Sequence, residues 1–487
     1  MQSRLQEVNK KYMSALKFTR IIATVGPASA SLEQLRALIR AGADCFRLNF
    51  SHGDGEKLKP WLELVREAAR LESRYIPVLA DIQGPKLRIG TMPEKGVTLE
   101  DGQEFLITGR DVTGDATRVH SPYERLAADL KEKARVLLAD GTIELIVERI
   151  EGEDIHCRVI HGGPLTSNKG MNLPDTEVSA RTLTEKDKAD LAFIAGTDID
   201  LVAISFVRSP DDIKEARKIL GDARIPVLAK LERPEALTWL GEILEVSDGV
   251  MVARGDLGVE IEFERVPFVQ KQILKRASVR GKWSIVATEM LRSMVDHSRP
   301  TRAEVTDVAN AVLDGADCVM LSEETAIGRH PAGVVQAMMR ILKAADEAEV
   351  PHPERFEADI ATFAAGAAGA AVSAAERLHA RAIIVLAGSN VTALLLSKWR
   401  SRVPILALSG GESTLRRLNV LRGVIAVAME EHAGMEEQIR LADAKLLSES
   451  WAEPGDTVVV VGAIPLGEGR ETNSIRFHKV RNRESAE

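Results

Sequence analysis

Leu201-Val-Ala-Ile-Ser-Phe206, Pro210–Leu220, Val227-Leu-Ala-Lys-Leu231, Leu237–Val246, Gly249-Val-Met-Val-Ala253, Val266–Val279, Ser284-Ile-Val-Ala-Thr288, Ala303–Leu313 and Cys318-Val-Met-Leu321 follow one another along the chain. The short members are near-continuous apolar runs of strand length, and the longer ones carry helical periodicity. A strand that returns through a helix can only pair parallel with the next strand. The same alternation occurs at the start of the chain: Arg20–Val25, Cys45–Phe50 and Ile76–Ile82 read as strands. Between them, a helix opens at Ser31 with Gln34 as its capping partner, carries Leu35, Leu38 and Ile39 on one stripe and stops at Gly42, and a second helix covers Glu56–Glu72. With Glu185–Ala195 and a last helix over Ala332–Ala345, eight strands and eight helices predict a closed (β/α)8 barrel. A doubly wound open sheet is the alternative.

The rhythm breaks between Thr91 and Leu183. Glu104–Thr108, Glu144–Ile150 and Ile155–Ile160 read as short strands separated by turns such as Asp140-Gly141 and Gly162-Gly163. This predicts a small β-barrel domain, residues 91–183, inserted after the third strand of a TIM-type barrel built from residues 1–90 and 184–350. Its place beside the active face suits a lid. After Pro351-His352-Pro353, a helix Thr362–Arg377, strand Ala382–Leu386, helix Thr392–Trp399 and strands Ile405–Leu408, Val424–Ala428 and Thr457–Val461 predict an open α/β domain over residues 351–487.

The 487 residues are 45% apolar and 28% charged, which excludes wholesale disorder, and the net charge of −8 gives no footprint for nucleic acid. No apolar run nears the roughly 20 residues that span a bilayer. Cys45, Cys157 and Cys318 are far apart and read as buried thiols. The expectation is a cytoplasmic protein with no nucleic-acid or membrane partner.

Reacting groups in such barrels lie at the carboxyl ends of strands. Strand two ends Arg47-Leu-Asn-Phe-Ser-His52, with Arg47, Asn49 and Ser51 on one face, types that suit a phosphate and an accompanying cation. Strand three ends in Asp81, and a Gly84-Pro85 turn is expected to bring Lys86 and Arg88 back over it. Strand five ends Lys230-Leu231-Glu232. Strand six ends Ala253-Arg-Gly-Asp-Leu-Gly258, whose Asp256 can join Glu232 as hard oxygen ligands for Mg²⁺, while the Gly255 turn bares backbone N–H groups. Thr288 and Ser322 close strands seven and eight, where hydroxyls either orient a water or cap a helix. Thr301 is the expected N-cap of the helix between them.

Arg47-Leu-Asn-Phe-Ser-His-Gly53, Asp81 through Arg88, Ala229-Lys-Leu-Glu232, Met251-Val-Ala-Arg-Gly-Asp-Leu-Gly-Val-Glu-Ile261 and Pro300-Thr-Arg-Ala-Glu304 through Ser322 together resemble pyruvate kinase, from about Thr19 to Val480. The resemblance implies phosphoryl transfer from phosphoenolpyruvate to ADP, giving pyruvate and ATP, with Mg²⁺ or Mn²⁺ held by Glu232 and Asp256. It makes Lys230, Arg47, Thr288 and Ser322 catalytic. It places the substrate carboxylate on Gly255, Asp256 and Thr288, phosphate on Arg47 and Lys230, and the nucleotide near Pro27, Asn49, Ser51, His52, Arg88 and Lys169. It also implies a homotetramer and regulation by a phosphorylated effector near Ser389, Asn390, Thr392 and Arg470.

The sequence departs from the family pattern at several points. Many relatives need K⁺, bound near the positions of Asn49, Ser51, Asp81 and Ile82, and those enzymes usually carry Thr in place of Ile82 and Glu in place of Lys86. The Lys86 ammonium is expected to stand in for that ion and remove the K⁺ requirement. Glu289 replaces a usual Gln, Glu323 replaces a small residue, and the terminal domain lacks the sugar-phosphate pattern of responsive relatives. Two other classes remain: a metal-dependent lyase or aldolase acting on enolates, and a non-catalytic metabolite-sensing scaffold.

Overall fold

The computed structural model describes residues 17–174, 176–221, 223–348, 362–386, 390–429, 434–464 and 471–482. Strands Arg20–Thr24, Cys45–Asn49, Val78–Asp81, Leu201–Ile204, Val227–Leu231, Gly249–Ala253, Trp283–Ala287 and Cys318–Leu321 close in that order into a parallel barrel, the last pairing with the first. The closed barrel, not the doubly wound sheet, is the fold. Local chemistry sets the helix ends. Ser31 caps Leu32–Ala41 through the Gln34 N–H, and that helix stops at Gly42 with φ +118°, a conformation glycine adopts without strain. Thr301 and Glu304 form a reciprocal capping box at the start of Arg302–Leu313.

Strand alternation sorts the core. Ile21, Phe46, Ala80, Val202 and Val250 face outward into the layer under the helices. Ile22, Cys45, Leu79, Leu201, Leu228, Met251, Ile285 and Cys318 face inward, and their cluster continues without a break into Ala368, Ile383, Leu396 and Val459 of the terminal domain. That domain closes the end of the barrel opposite the strand-end rim. The seam holds charges that burial makes costly unless paired: Lys398 with Asp317, Arg416 with Asp200 at 2.7 Å, and Arg422 with Asp346 at 2.9 Å.

The insert is a half-barrel: one mixed six-stranded sheet, with Glu104–Thr108, Arg118–His120, Arg135–Leu138, Ile143–Glu151, Asp154–His161 and Met171–Asn172, and a separate pair Val97–Leu99 and Gly163–Leu165. The terminal domain has a five-stranded sheet whose edge, Ser474–Lys479, runs antiparallel to Thr457–Gly462. Three features differ from the sequence expectation. The helix expected over Leu237–Val246 is two segments, Pro234–Thr238 and Leu240–Val246, joined at Trp239. A short helix, Arg254–Glu260, replaces the open turn expected at Gly255. Helices Glu412–Leu418 and Met435–Ser448 complete the terminal domain. No helix among the described residues is long and apolar enough to cross a membrane.

Candidate active site

Four barrel strands deliver charged groups to one rim. Lys230 Nζ lies 2.9 Å from Glu232 Oε1, 3.1 Å from Asp81 Oδ1 and 2.7 Å from Ser205 Oγ. Arg47 Nε donates to Asp81 Oδ2 at 2.7 Å, and its Nη1 donates to Thr24 Oγ1 at 3.2 Å. All of these side chains are buried; Asp81 and Glu232 are each 1% exposed. Burial alone would pull the Lys230 ammonium down, but the Asp81 and Glu232 carboxylates outweigh it and hold the lysine above its ordinary range. The same burial would raise Asp81, yet Lys230 and Arg47 keep its carboxyl below the usual value. Glu232 moves the other way. Burial raises it and the Asp256 charge adds to that, against the pull of Lys230.

Asp256 sits in the first turn of Arg254–Glu260, and that turn is tied to strand seven. The Gly255 N–H donates to Thr288 Oγ1 at 2.7 Å, and Arg254 Nη2 donates to the Thr288 carbonyl at 2.8 Å. Thr288 and Glu289 hold φ of +70° and +56°, and Phe206, at the end of strand four, holds +55°. A β-branched residue in that region is strained, and such strain gathers where a site needs a fixed geometry. The Phe206 N–H donates to Glu232 Oε2 at 2.8 Å, so the strained turn holds that carboxylate in place.

Lys86 departs from expectation. Its ammonium bonds Asp256 Oδ1 at 3.0 Å and lies 3.8 Å from Asp140 of the insert, and Asp81 is taken up by Arg47 and Lys230. The Gly84-Pro85 turn causes this. Gly84 has φ +67°, a Cβ there would come 2.8 Å from the Phe206 ring, and Lys86, two residues on, reaches Asp256 beyond strand six. Arg88 reaches the insert rather than Asp81, with Nη1 donating to the Asn168 carbonyl at 2.9 Å. Lys169 is exposed beside it, and its carbonyl accepts from the Ile89 N–H at 3.0 Å.

The remaining predicted residues are spread around the mouth. Asn49 Oδ1 accepts from the Ser51 N–H at 3.1 Å and caps the turn Phe50–His52; His52 and Pro27 are exposed. The Ile82 carbonyl accepts from Ser205 Oγ at 2.5 Å. Ser322 ends strand eight, where its N–H donates to Glu324 Oε2 at 2.6 Å. Glu289 is exposed, and Glu323 pairs with Arg292 at 3.0 Å. In the terminal domain Asn390 begins a helix with its buried Oδ1 unbonded, and Thr392 Oγ1 meets Thr472 Oγ1 at 2.6 Å. Ser389 and Arg470 lie outside the described residues. Sequence reading missed Ser205, Phe206, Arg254 and Glu260. The strand-end rule applied to strand four would have found the first two.

No group of three or more His, Cys, Asp or Glu side chains placed to hold a metal occurs among the described residues. Glu232 and Asp256 nevertheless feel each other's charge, and Glu232 Oε1 meets the Lys230 ammonium at 2.9 Å. Two hard carboxylates, with the rest of the shell left to substrate and water, is how Mg²⁺ is commonly held.

Two family models match the chain: the pyruvate kinase barrel domain over residues 16–335 and the pyruvate kinase alpha/beta domain over residues 366–478. A pyruvate kinase of Corynebacterium glutamicum is 42% identical over 466 residues, covering 94% of this chain and 97% of its own. One from Mycobacterium tuberculosis is 40% identical over 468 residues, covering 95% and 98%. The crystal structure of a pyruvate kinase from Cryptosporidium parvum superposes with a TM-score of 0.88 at 33% identity, covering 96% of this chain and 97% of that one. Both halves of the architecture and nearly the whole length agree, so the chain belongs to the pyruvate kinase family and is a phosphotransferase of that class.

Proposed function

We propose that the strand-end rim transfers the phosphoryl group of phosphoenolpyruvate to ADP with Mg²⁺ or Mn²⁺ bound between Glu232 and Asp256. The observation that carries this is the Lys230 ammonium, buried and kept charged between Asp81 and Glu232. Phosphoryl transfer passes through a loose transition state whose charge is spread over the phosphoryl oxygens, so catalysis is positioning plus fixed positive charge. Lys230 supplies that charge. Arg47, anchored by Asp81 and Thr24, contributes a second cation to the same phosphate. The metal, when bound, adds positive charge at the phosphoryl oxygens. The substrate carboxylate sits at the Gly255 and Asp256 backbone with Thr288, whose Oγ1 accepts from the Gly255 N–H at 2.7 Å and holds that turn. As the P–O bond to the enol oxygen breaks, a new one forms to a terminal oxygen of ADP, and the enolate takes a proton at its methylene carbon. Thr288 and Ser322, at neighbouring strand ends, orient the water that delivers it. Pro27, Asn49, Ser51, His52, Arg88 and Lys169 surround the nucleotide. The insert, residues 91–183, closes over the barrel, residues 1–90 and 184–350, and keeps water from the phosphoryl group.

The enzyme works without K⁺. Asp81, the only charged member of the Asn49, Ser51, Asp81 and Ile82 set, already meets two cations, Arg47 and Lys230, and Lys86 adds a third positive charge at the rim. The terminal domain, residues 351–487, binds a phosphorylated effector around Asn390 and Thr392, with Ser389 and Arg470; the buried, unbonded Asn390 Oδ1 supports a polar ligand there. The assembly is a homotetramer and the setting cytoplasmic. An assay coupled to lactate dehydrogenase, with phosphoenolpyruvate, ADP and Mg²⁺, tests the reading: turnover in Na⁺ or Tris buffer is expected. Its absence with and without K⁺ would favour the aldolase or scaffold alternative.

A further inference from the structure

The short helix that presents Asp256 is gripped at its far end by a contact the mechanism does not use. Glu260 is 3% exposed; its Oε1 accepts from Asn172 Nδ2 at 2.8 Å and its Oε2 pairs with Arg233 Nη1 at 3.0 Å. Asn172 belongs to the last strand of the insert, Met171–Asn172, which pairs antiparallel with Arg135–Leu138. Arg233 follows Glu232 directly and also approaches the Thr176 carbonyl at 3.5 Å and Glu235 at 3.4 Å. One buried carboxylate therefore joins three things: the insert's return strand, the loop that carries Glu232, and the helix that carries Asp256. Asp256 and Glu260 are four residues apart, so they stack on one helix face, and fixing the rotation of one fixes the other. The cavity these groups line with Lys86, Phe206 and Arg208 is about 30 Å³, room for a water and not for a metabolite. The cluster is a joint rather than a binding site.

We propose that Glu260 is a positioning residue: by bonding Asn172 of the insert and Arg233 of the barrel, it sets the angle at which Asp256 faces Glu232, so that seating the insert and completing the metal site are one movement. This rests on the reading of Glu232 and Asp256 as metal-binding carboxylates. Partners that orient a ligand from behind change metal affinity by about 10-fold to 100-fold when removed.

The full-length enzyme is titrated with Mn²⁺ by electron paramagnetic resonance in the absence of substrate, alongside thermal unfolding. Asn172→Ala, which removes a single hydrogen bond, and Asn172→Asp, which sets a second carboxylate against Glu260, are each expected to weaken Mn²⁺ binding by about 10-fold with folding retained. The double exchange Asn172→Asp with Glu260→Gln restores the bond with donor and acceptor reversed, and is expected to bring the dissociation constant back to within about threefold of the parent. Asp256→Asn is the control for the underlying reading. If it abolishes Mn²⁺ binding while both Asn172 variants bind as the parent does, Glu260 is only structural glue and the proposal falls. Normal Mn²⁺ binding by Asp256→Asn overturns the metal reading itself, and this proposal with it.

Discussion

Replacing Lys86 with methionine tests the charge arrangement at the rim, because two consequences of opposite sign are expected from one change. The Lys86 ammonium stands 3.0 Å from Asp256 Oδ1, and the two side chains are 25% and 23% exposed. At an effective dielectric constant of about 20, unit charges at that separation attract by about 5–6 kcal/mol. Partial exposure, desolvation and the entropy of holding a long side chain reduce the net value of such pairs to about 1 kcal/mol. A metal ion approaching Asp256 must displace that contact. Lys86→Met therefore tightens Mn²⁺ binding in the absence of substrate by about fivefold, since 1.4 kcal/mol corresponds to about tenfold. Turnover moves the other way. With one positive charge removed from the rim, activity in Na⁺ or Tris buffer falls, and added K⁺ restores it by binding near Asn49, Ser51 and Asp81. The assays are a Mn²⁺ titration by electron paramagnetic resonance and steady-state kinetics with and without K⁺. A variant whose Mn²⁺ affinity is unchanged and whose rate ignores K⁺ would refute both the contact's role and the substitution of ammonium for ion.

Lys230→Met removes the cation shared by two buried carboxylates, and the expected loss in kcat is about 100-fold to 1,000-fold, as for removal of a preorganised transition-state donor; retention of a tenth of parent activity would remove Lys230 from the mechanism. Asp81→Asn bears on pH and stability together. The folded Asp81 carboxyl lies below its unfolded value, so its contribution is present above about pH 4 and is lost as pH falls through the folded value. The variant should be several kcal/mol less stable at pH 7, about 3–5 by analogy with broken buried pairs, and its stability should depend less on pH in acid, as read by urea unfolding between pH 2 and 7. Arg416→Ala leaves Asp200, 1% exposed, with Arg66 as its remaining cation at 2.7 Å. Urea unfolding should show about 2–3 kcal/mol lost at the seam, and an unchanged midpoint would mean the seam charges are neutral in effect. Burial pushes the Cys45 and Cys318 thiols well above their ordinary value and Cys157 up to about 12. Ellman's reagent should find no fast thiol in the native enzyme and three after denaturation.

Much of the architecture is legible because period and spacing are local. Gly249–Ala253 has no polar residue to place, Gly42 announces a helix end, and Thr301 with Glu304 announces a start. The identities of Lys230, Glu232 and Asp256 are legible for the same reason, since each stands at or just beyond the end of an apolar strand. Partner choice is not local. Nothing in Asp81-Ile-Gln-Gly-Pro-Lys86 shows that the lysine turns toward strand six; that follows from the φ of Gly84 and the bulk of Phe206, which lies 122 residues away along the chain. Ser205 was overlooked because a neutral hydroxyl carries no charge pattern, yet it bonds Lys230.

The positive φ values at Phe206, Thr288 and Glu289 show why this limit falls at the site rather than in the core. In the core, an apolar run specifies its own environment, and many side chains satisfy it. At the rim, two non-glycine turns are held against their preference by hydrogen bonds that cross between strands: Phe206 N–H to Glu232, and Thr288 Oγ1 from Gly255. Each bond fixes a group carried by a different strand, so the strain is a cost of registering four strand ends against one another. On this argument Thr288→Gly relieves the strain and loses the hydroxyl together. It should unfold at a temperature close to that of the parent, because a glycine gains about as much from the left-handed backbone as the protein loses in one hydrogen bond of roughly 1 kcal/mol. KM for phosphoenolpyruvate should rise because the Gly255 turn is no longer held. A variant with the parent's KM would show that the turn is fixed by its own helix and that the strain at Thr288 serves nothing at the substrate carboxylate.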